Sequence, residues 1–243
     1  MDLKHKKILL FDLETTGLSI VNDKIIEIGA VKVKNGQIID RFQAFCDPEE
    51  KLIEFVSNLT NITDEMLKGQ IEVVLKEFIE FTKDSVLVAH NASFDCLNVL
   101  HKAKVLNYSF RKNVLYIDTL NLARYHYSDQ LKRFNLGTLS RFFKINLENH
   151  HRAIDDADAT GQMFIKMLED LAQKGIKTFN ELETTVDRKK TYLHQMPFAV
   201  DFLVKNQTGY KNLFKLVTSA LTEYFYQRPR VLASEFEKYK EGL

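Results

Sequence analysis

The first apolar run of the chain is Ile8-Leu9-Leu10-Phe11, which follows a lysine-rich start and stops at Asp12. A run this short and bounded in this way predicts a buried strand. KIIEIGAVKVKNGQIIDRFQAFC (24–46) holds two β-rich runs on either side of Asn35-Gly36, which predicts a hairpin closed by a type I′ turn. Beyond it the apolar period lengthens. IEVVLKEFIEFTK (71–83) sets Val74, Leu75, Phe78 and Ile79 on one helical stripe. SVLVAH (85–90) reads as a short strand ending at His90, and residues 92–106 as a helix with Phe94, Leu97 and Leu100 inward. NVLYIDT (113–119) predicts a strand, followed by a helix through Tyr125, a short helix over 136–145 and a long one over 151–175 with Gly175 as its stop. Three antiparallel strands followed by alternating helix and strand predict an α/β domain with a mixed sheet flanked by helices.

The periodicity weakens at the polar stretch ELETTVDRKK (181–190). This divides the chain into a domain over 1–183 and a small C-terminal appendage over 184–243. A segment of about 50 residues is marginal for a core of its own, so its apolar runs are expected to pack on other protein. Among the 243 residues, 34 basic side chains balance 33 acidic ones, for a net charge of +1. That balance gives no global attraction to nucleic acid or membrane and leaves local patches to decide. Cys46 and Cys96 form no CxxC pair, which argues against a disulfide framework or a zinc site and fits a reducing cytoplasm. No apolar segment is long enough to span a bilayer and none resembles a signal peptide. The expectation is a cytoplasmic protein with no membrane partner.

The candidate chemistry starts where the first strand ends. Asp12 and Glu14 in FDLETTGL (11–18) are two apart, so they share a strand face. Like charges side by side on a buried strand are costly unless neutralised. An oxygen-ligand site for Mg²⁺ or Mn²⁺ would do so; two hydrated acids at an emerging strand end are the alternative. HNASFD (90–95) puts Asp95 in the first turn of a helix, and HRAIDDAD (151–158) puts His151 five residues before Asp156. Asp12, Glu14, Asp95 and Asp156 are about the number of carboxylates that two neighbouring divalent ions require.

In this order and with these gaps, the three segments resemble the exonuclease motifs of the DEDD superfamily, in the subclass that uses histidine as its base. The match covers about residues 6–177 and implies a ribonuclease H-like fold. ETTGLSIVNDKIIEIGAVKVKNGQIIDRF, NITDEML and LVAHNASFD are similar to the proofreading exonuclease of PolC-type bacterial DNA polymerase III. The tail GYKNLFKLVTSALTEYFYQRPRVLASEFEKYKEGL resembles the PHP-domain sequence that follows this exonuclease in such polymerases. The tail departs from that pattern at MPFAVDF (196–202), where a histidine is expected.

The resemblance implies metal-dependent 3′→5′ hydrolysis of DNA ends to nucleoside 5′-monophosphates, with a single-stranded or frayed 3′ end and the remaining polymerase domains as partners. It implies two divalent cations, Mg²⁺ or Mn²⁺. Asp12 would bridge them, Glu14 and Asp156 would complete one site, Asp95 would support the other, and His151 would be the general base. Leu13, Thr15, Thr16, Gly17, Leu18, His90, Asn91 and Phe94 would meet the substrate. An exoribonuclease of the same superfamily and a non-catalytic binding module are the rival readings.

Several residues carry plainer alternatives. His150 duplicates the side chain of His151 without its spacing to Asp156. Asp155 and Asp158 read as solvent-facing or helix-dipole acids. Gly17 reads as a turn glycine at φ > 0, and Phe94 as helix core. Lys102, Lys104, Arg111, Lys112, Arg124, Lys132 and Arg133 read as a solvated face, with tracking of a nucleic-acid backbone as the alternative. Tyr125, His126 and Tyr127 offer stacking surface, and Tyr127 reads equally as core.

Overall fold

The computed structural model describes residues 5–110, 116–147, 150–178, 181–182, 200–225 and 228–243. The chain divides into two compact units, 1–184 and 185–243.

The first unit is built on a five-stranded sheet of order β3-β2-β1-β4-β5. β1 (Ile8–Thr15), β2 (Ile25–Lys34) and β3 (Gln37–Phe45) are antiparallel, and β4 (Val86–Ala89) and β5 (Tyr116–Asp118) run parallel to β1. This is the mixed sheet the apolar pattern predicts. The β2–β3 turn has φ 54° at Asn35 and 75° at Gly36, the left-handed pair of a type I′ hairpin. Residues 111–115, with the first part of the strand expected over 113–119, lie outside the described residues.

Strand alternation on β1 sorts its side chains between two cores. Ile8 and Leu10 join a cluster with Tyr127, Leu139, Met163, Phe164 and Met167; Leu9, Phe11 and Leu13 join one with Val74, Leu75, Phe78, Cys96 and Val99. The first cluster lies under α4 (Thr119–His126), α5 (Leu136–Phe142) and α6 (Ala153–Gln173), the second under α2 (Ile71–Phe81) and α3 (Ala92–Val105). Both sheet faces are therefore covered, which explains why β1 is apolar without interruption until Asp12. Asp12 and Glu14 continue the Ile8–Leu10 side and so point towards α6.

Two details differ from the sequence reading. α3 turns Ala92, Cys96, Val99 and Ala103 inward and leaves Leu97 48% exposed, because small residues let the helix lie close on the sheet. α1 (Glu54–Thr60) and the 3₁₀ turn Asp64–Met66 were not expected. They are too short for a periodic signal, and they close a small cluster of Ile26, Val56, Ile62 and Leu67.

In the second unit, α7 (Gln207–Thr222) and α8 (Ala233–Tyr239) pack together. Phe202 stacks on Phe236 with centroids 5.2 Å apart, and Asn206 caps α7 by accepting from the Gly209 N–H at 3.0 Å. Of MPFAVDF, residues 196–199 lie outside the described residues.

Candidate active site

The acidic positions singled out in the sequence converge. One carboxylate oxygen from each of Asp12, Glu14 and Asp156 lies within 4.8 Å of the other two. Asp156 is in the first turn of α6 and is 5% exposed. Asp95, 3% exposed in the first turn of α3, is the strongest of the neighbouring charges acting on Asp12.

Burial dominates the electrostatics of this cluster. It pushes Asp12 and Asp95 well above the usual carboxylate range, with the Asp95 and Asp156 charges adding to the effect at Asp12. Burial, then the Asp156 and Glu27 charges, raise Glu14 to about 8. Asp156 is raised to about 6, again chiefly by burial, with His150 and the His151 N–H pulling the other way. Crowded, desolvated carboxylates of this kind are the environment that a divalent cation relieves. The oxygens fit an oxygen-preferring ion such as Mg²⁺ or Mn²⁺. So does Asp156 Oδ1, a buried atom with no hydrogen-bond partner.

His151 sits in the turn just ahead of α6 with φ 69°. Its backbone N–H donates to Asp156 Oδ2 at 3.1 Å, which ties this turn to the acid cluster. Burial, helped by His150, lowers its pKa, which favours the neutral imidazole whose free nitrogen can accept a proton. His150 is exposed, and its ring meets the His151 ring edge-on with centroids 4.0 Å apart.

One residue of this centre was missed in the sequence. Glu27 on β2 lies opposite Glu14 in the strand register and is 0% exposed. Its carboxylate accepts from Gln43 Nε2 at 2.7 Å, from Arg152 Nε at 3.2 Å and from the Ala153 N–H at 3.0 Å. The start of α6 is thus clamped on β2 by a buried ion pair and a capping carboxylate. Gly29 makes the approach possible, since a Cβ there would lie 2.1 Å from the Ala153 carbonyl carbon. A signal was present: Glu27 alternates with Gly29, Val31 and Val33 on an otherwise apolar face, and a buried carboxylate requires a partner.

The segment after β1 is a braced loop. Thr15 Oγ1 donates to the Gly17 carbonyl at 2.6 Å, the Ser19 N–H donates to Asp23 Oδ2 at 2.6 Å, and the Lys24 N–H donates to Thr16 Oγ1 at 3.0 Å. Gly17 does not take the positive φ expected of it. The requirement is space: a Cβ would meet the Asp23 carboxylate at 2.6 Å. The loop leaves Leu18 86% exposed. Leu13 is different, because its side chain is buried in the α2–α3 core, on the face away from Asp12.

In the second motif, His90 Nδ1 lies 3.0 Å from Thr119 Oγ1, and burial pushes its pKa down to about 4. Asn91 has φ 69° ahead of α3, and its N–H donates to Asp118 Oδ1 at 3.1 Å. Phe94 is half-buried and belongs to none of the apolar clusters of the described residues, so the core expectation for it does not hold. Tyr127 offers no stacking surface: it is buried, and its hydroxyl donates to Asp170 Oδ2 at 3.1 Å. Asp158 pairs with Arg41 at 2.7 Å. Asp155 is half-buried, and its charge raises Asp156. Arg111 and Lys112 lie outside the described residues.

The chain is 46% identical over 245 residues to the PolC-type DNA polymerase III of Bacillus subtilis, covering 99% of this chain and 17% of that protein. It is 44% identical over 238 residues to the PolC-type DNA polymerase III of Caldanaerobacter subterraneus, covering 97% of this chain and again 17% of the relative. The chain therefore spans about one-sixth of the length of these relatives. Among solved structures, the nuclease domain of 3′hExo, a DEDDh family member bound to rAMP, superposes with a TM-score of 0.60 at 19% identity, over 70% of this chain and 95% of that one. The fold is thus shared at low identity. The family model described as exonuclease matches residues 9–164, more than half of the chain, and the chain belongs to this exonuclease family.

Proposed function

We propose that the first unit is a 3′→5′ exodeoxyribonuclease that removes nucleoside 5′-monophosphates from single-stranded or frayed DNA 3′ ends, as the proofreading activity of a PolC-type DNA polymerase III. The observation that carries this reading is the convergence of Asp12, Glu14 and Asp156 within 4.8 Å beside His151, whose N–H donates to Asp156. Asp12, Glu14, Asp95 and Asp156 would hold two divalent cations, Mg²⁺ or Mn²⁺. Such ions polarise the phosphate and lower the pKa of attacking water. His151 accepts the proton of that water, held in place by its own N–H on Asp156. The Thr15–Leu18 loop carries backbone donors and the exposed Leu18 to the terminal nucleotide, and His90, Asn91 and Phe94 line the second motif's side of the cleft. A mispaired end is selected because it costs less to unstack.

The 1–183 segment is the exonuclease domain and 184–243 a partial PHP-like segment, with the remaining polymerase domains as partners in the cytoplasm. Among the described residues no helix is long and apolar enough to cross a membrane. The similarity to PolC-type polymerases favours DNA over RNA.

The test is digestion of a 5′-labelled single-stranded DNA and its RNA twin with Mg²⁺ or Mn²⁺, for the wild-type chain and Asp12→Ala. A metal-dependent ladder shortening from the DNA 3′ end and lost in Asp12→Ala supports the reading. A ladder on RNA alone makes the chain an exoribonuclease, and no ladder on either leaves a binding module.

A further inference from the structure

His150 has no part in the chemistry above, yet the fold brings it to the acid cluster. Side chains of consecutive residues diverge on an extended chain. Here the left-handed φ of 69° at His151 folds the turn back and brings the two imidazoles to 4.0 Å. One ligand atom from each of His150, His151 and Asp156 lies within 4.8 Å of the other two. Asp156 gives Oδ2 to the His151 N–H and leaves Oδ1 buried with no hydrogen-bond partner. Two aromatic nitrogens and a carboxylate oxygen, with one side open, form the donor set of a three-ligand Zn²⁺ site.

We propose that His150, His151 and Asp156 form a second cation site, selective for Zn²⁺ over Mg²⁺, whose occupation switches the nuclease off. The selectivity follows from the ligands. Imidazole nitrogen suits Zn²⁺, whereas Mg²⁺ prefers oxygen and near-octahedral geometry, which the Asp12–Glu14–Asp156 group supplies. Both groups contain Asp156, so the two kinds of ion compete for it. The inhibition rests on the exonuclease reading: an imidazole nitrogen committed to Zn²⁺ has no lone pair left to accept a proton. Zn²⁺ binding itself does not rest on that reading.

The two are separated by measuring binding without turnover. The full 243-residue chain carrying Asp12→Ala and Glu14→Ala is titrated with Zn²⁺ by calorimetry, with and without His150→Ala, and Co²⁺ is used as a visible-absorption probe of nitrogen ligation. One Zn²⁺ bound without the acid pair, and weakened about tenfold or more by His150→Ala, is the expected result, since even outer-shell changes at metal sites cost 10–100-fold. In the chain with its acid pair intact, His150→Ala is expected to keep Mg²⁺-supported cleavage and to lose sensitivity to Zn²⁺. Zn²⁺ binding that disappears with the acid pair, or is indifferent to His150→Ala, overturns the proposal. If the wild-type chain cleaves no nucleic acid, the exonuclease reading fails, and the calorimetric comparison alone decides the site.

Discussion

Glu27 accepts a hydrogen bond from the backbone N–H of Ala153 at 3.0 Å and pairs with Arg152 through the same carboxylate oxygen. A buried carboxylate on the second strand therefore fixes the start of α6, between His151 and Asp156. Removing it leaves Gln43, Arg152 and an amide without their acceptor, although Arg152 can still reach solvent. Glu27→Ala is expected to lower stability by about 2–4 kcal/mol, near the cost of breaking a buried pair. Turnover is expected to fall roughly 10²-fold through displacement of His151. Glu27→Gln keeps an acceptor for Ala153 and is expected to recover most of both. Chemical denaturation and single-strand digestion of the three proteins check this; equal losses in the two variants would remove the clamp.

Gly29 is the steric half of the same contact, because a Cβ there would lie 2.1 Å from backbone rather than from a flexible side chain. Gly29→Ala is expected to cost about 3 kcal/mol or to yield unfolded protein, the upper end of overpacking effects. A melting temperature equal to wild type would show that α6 yields easily.

Asp12→Ala is expected to abolish turnover while leaving the fold intact and, without added metal, slightly more stable. Desolvation and the Asp95, Asp156 and Glu14 charges all disfavour the ionised Asp12, and its removal relieves them. Circular dichroism melts in chelator decide; a destabilised Asp12→Ala would mean that packing at this position outweighs repulsion.

His151→Ala is expected to keep Mn²⁺ binding, since the oxygen ligands remain, and to lose roughly 10²–10⁴-fold in rate, the usual size of a general-base effect. Near-normal turnover would hand the proton to His150 or to bulk hydroxide.

The acid cluster also sets a pH dependence. Glu14 is raised from 4.5 to about 8 and Asp156 from 3.8 to about 6, so in this range the folded chain binds protons that the unfolded chain has released. Stability without metal is therefore expected to fall as pH rises from the ordinary carboxylate range through about 8. Cation binding displaces these protons, so Mn²⁺ affinity is expected to rise over the same interval. Melting in chelator and in Mn²⁺ across this range measures both; a flat metal-free profile would contradict the raised values.

The acid cluster was legible in the sequence because it is written locally. Asp12 and Glu14 share a face by strand period alone, and Asp95 and Asp156 fall in first turns because His90 and His151 lie just before helices. Strand and helix alternation likewise gave the mixed sheet, since both faces must be buried. Other features were decided only by chain segments far apart in sequence. Glu27 needed a partner 125 residues away, Gly17 answers to the Asp23 carboxylate rather than to its own backbone, and Phe94 and Leu97 were misjudged because small residues set the inner face of α3. The pairing of His150 with His151 depends on a single left-handed residue. Period and motif report what one element presents; which elements meet, and which oxygen is left without a partner, follows from tertiary packing alone.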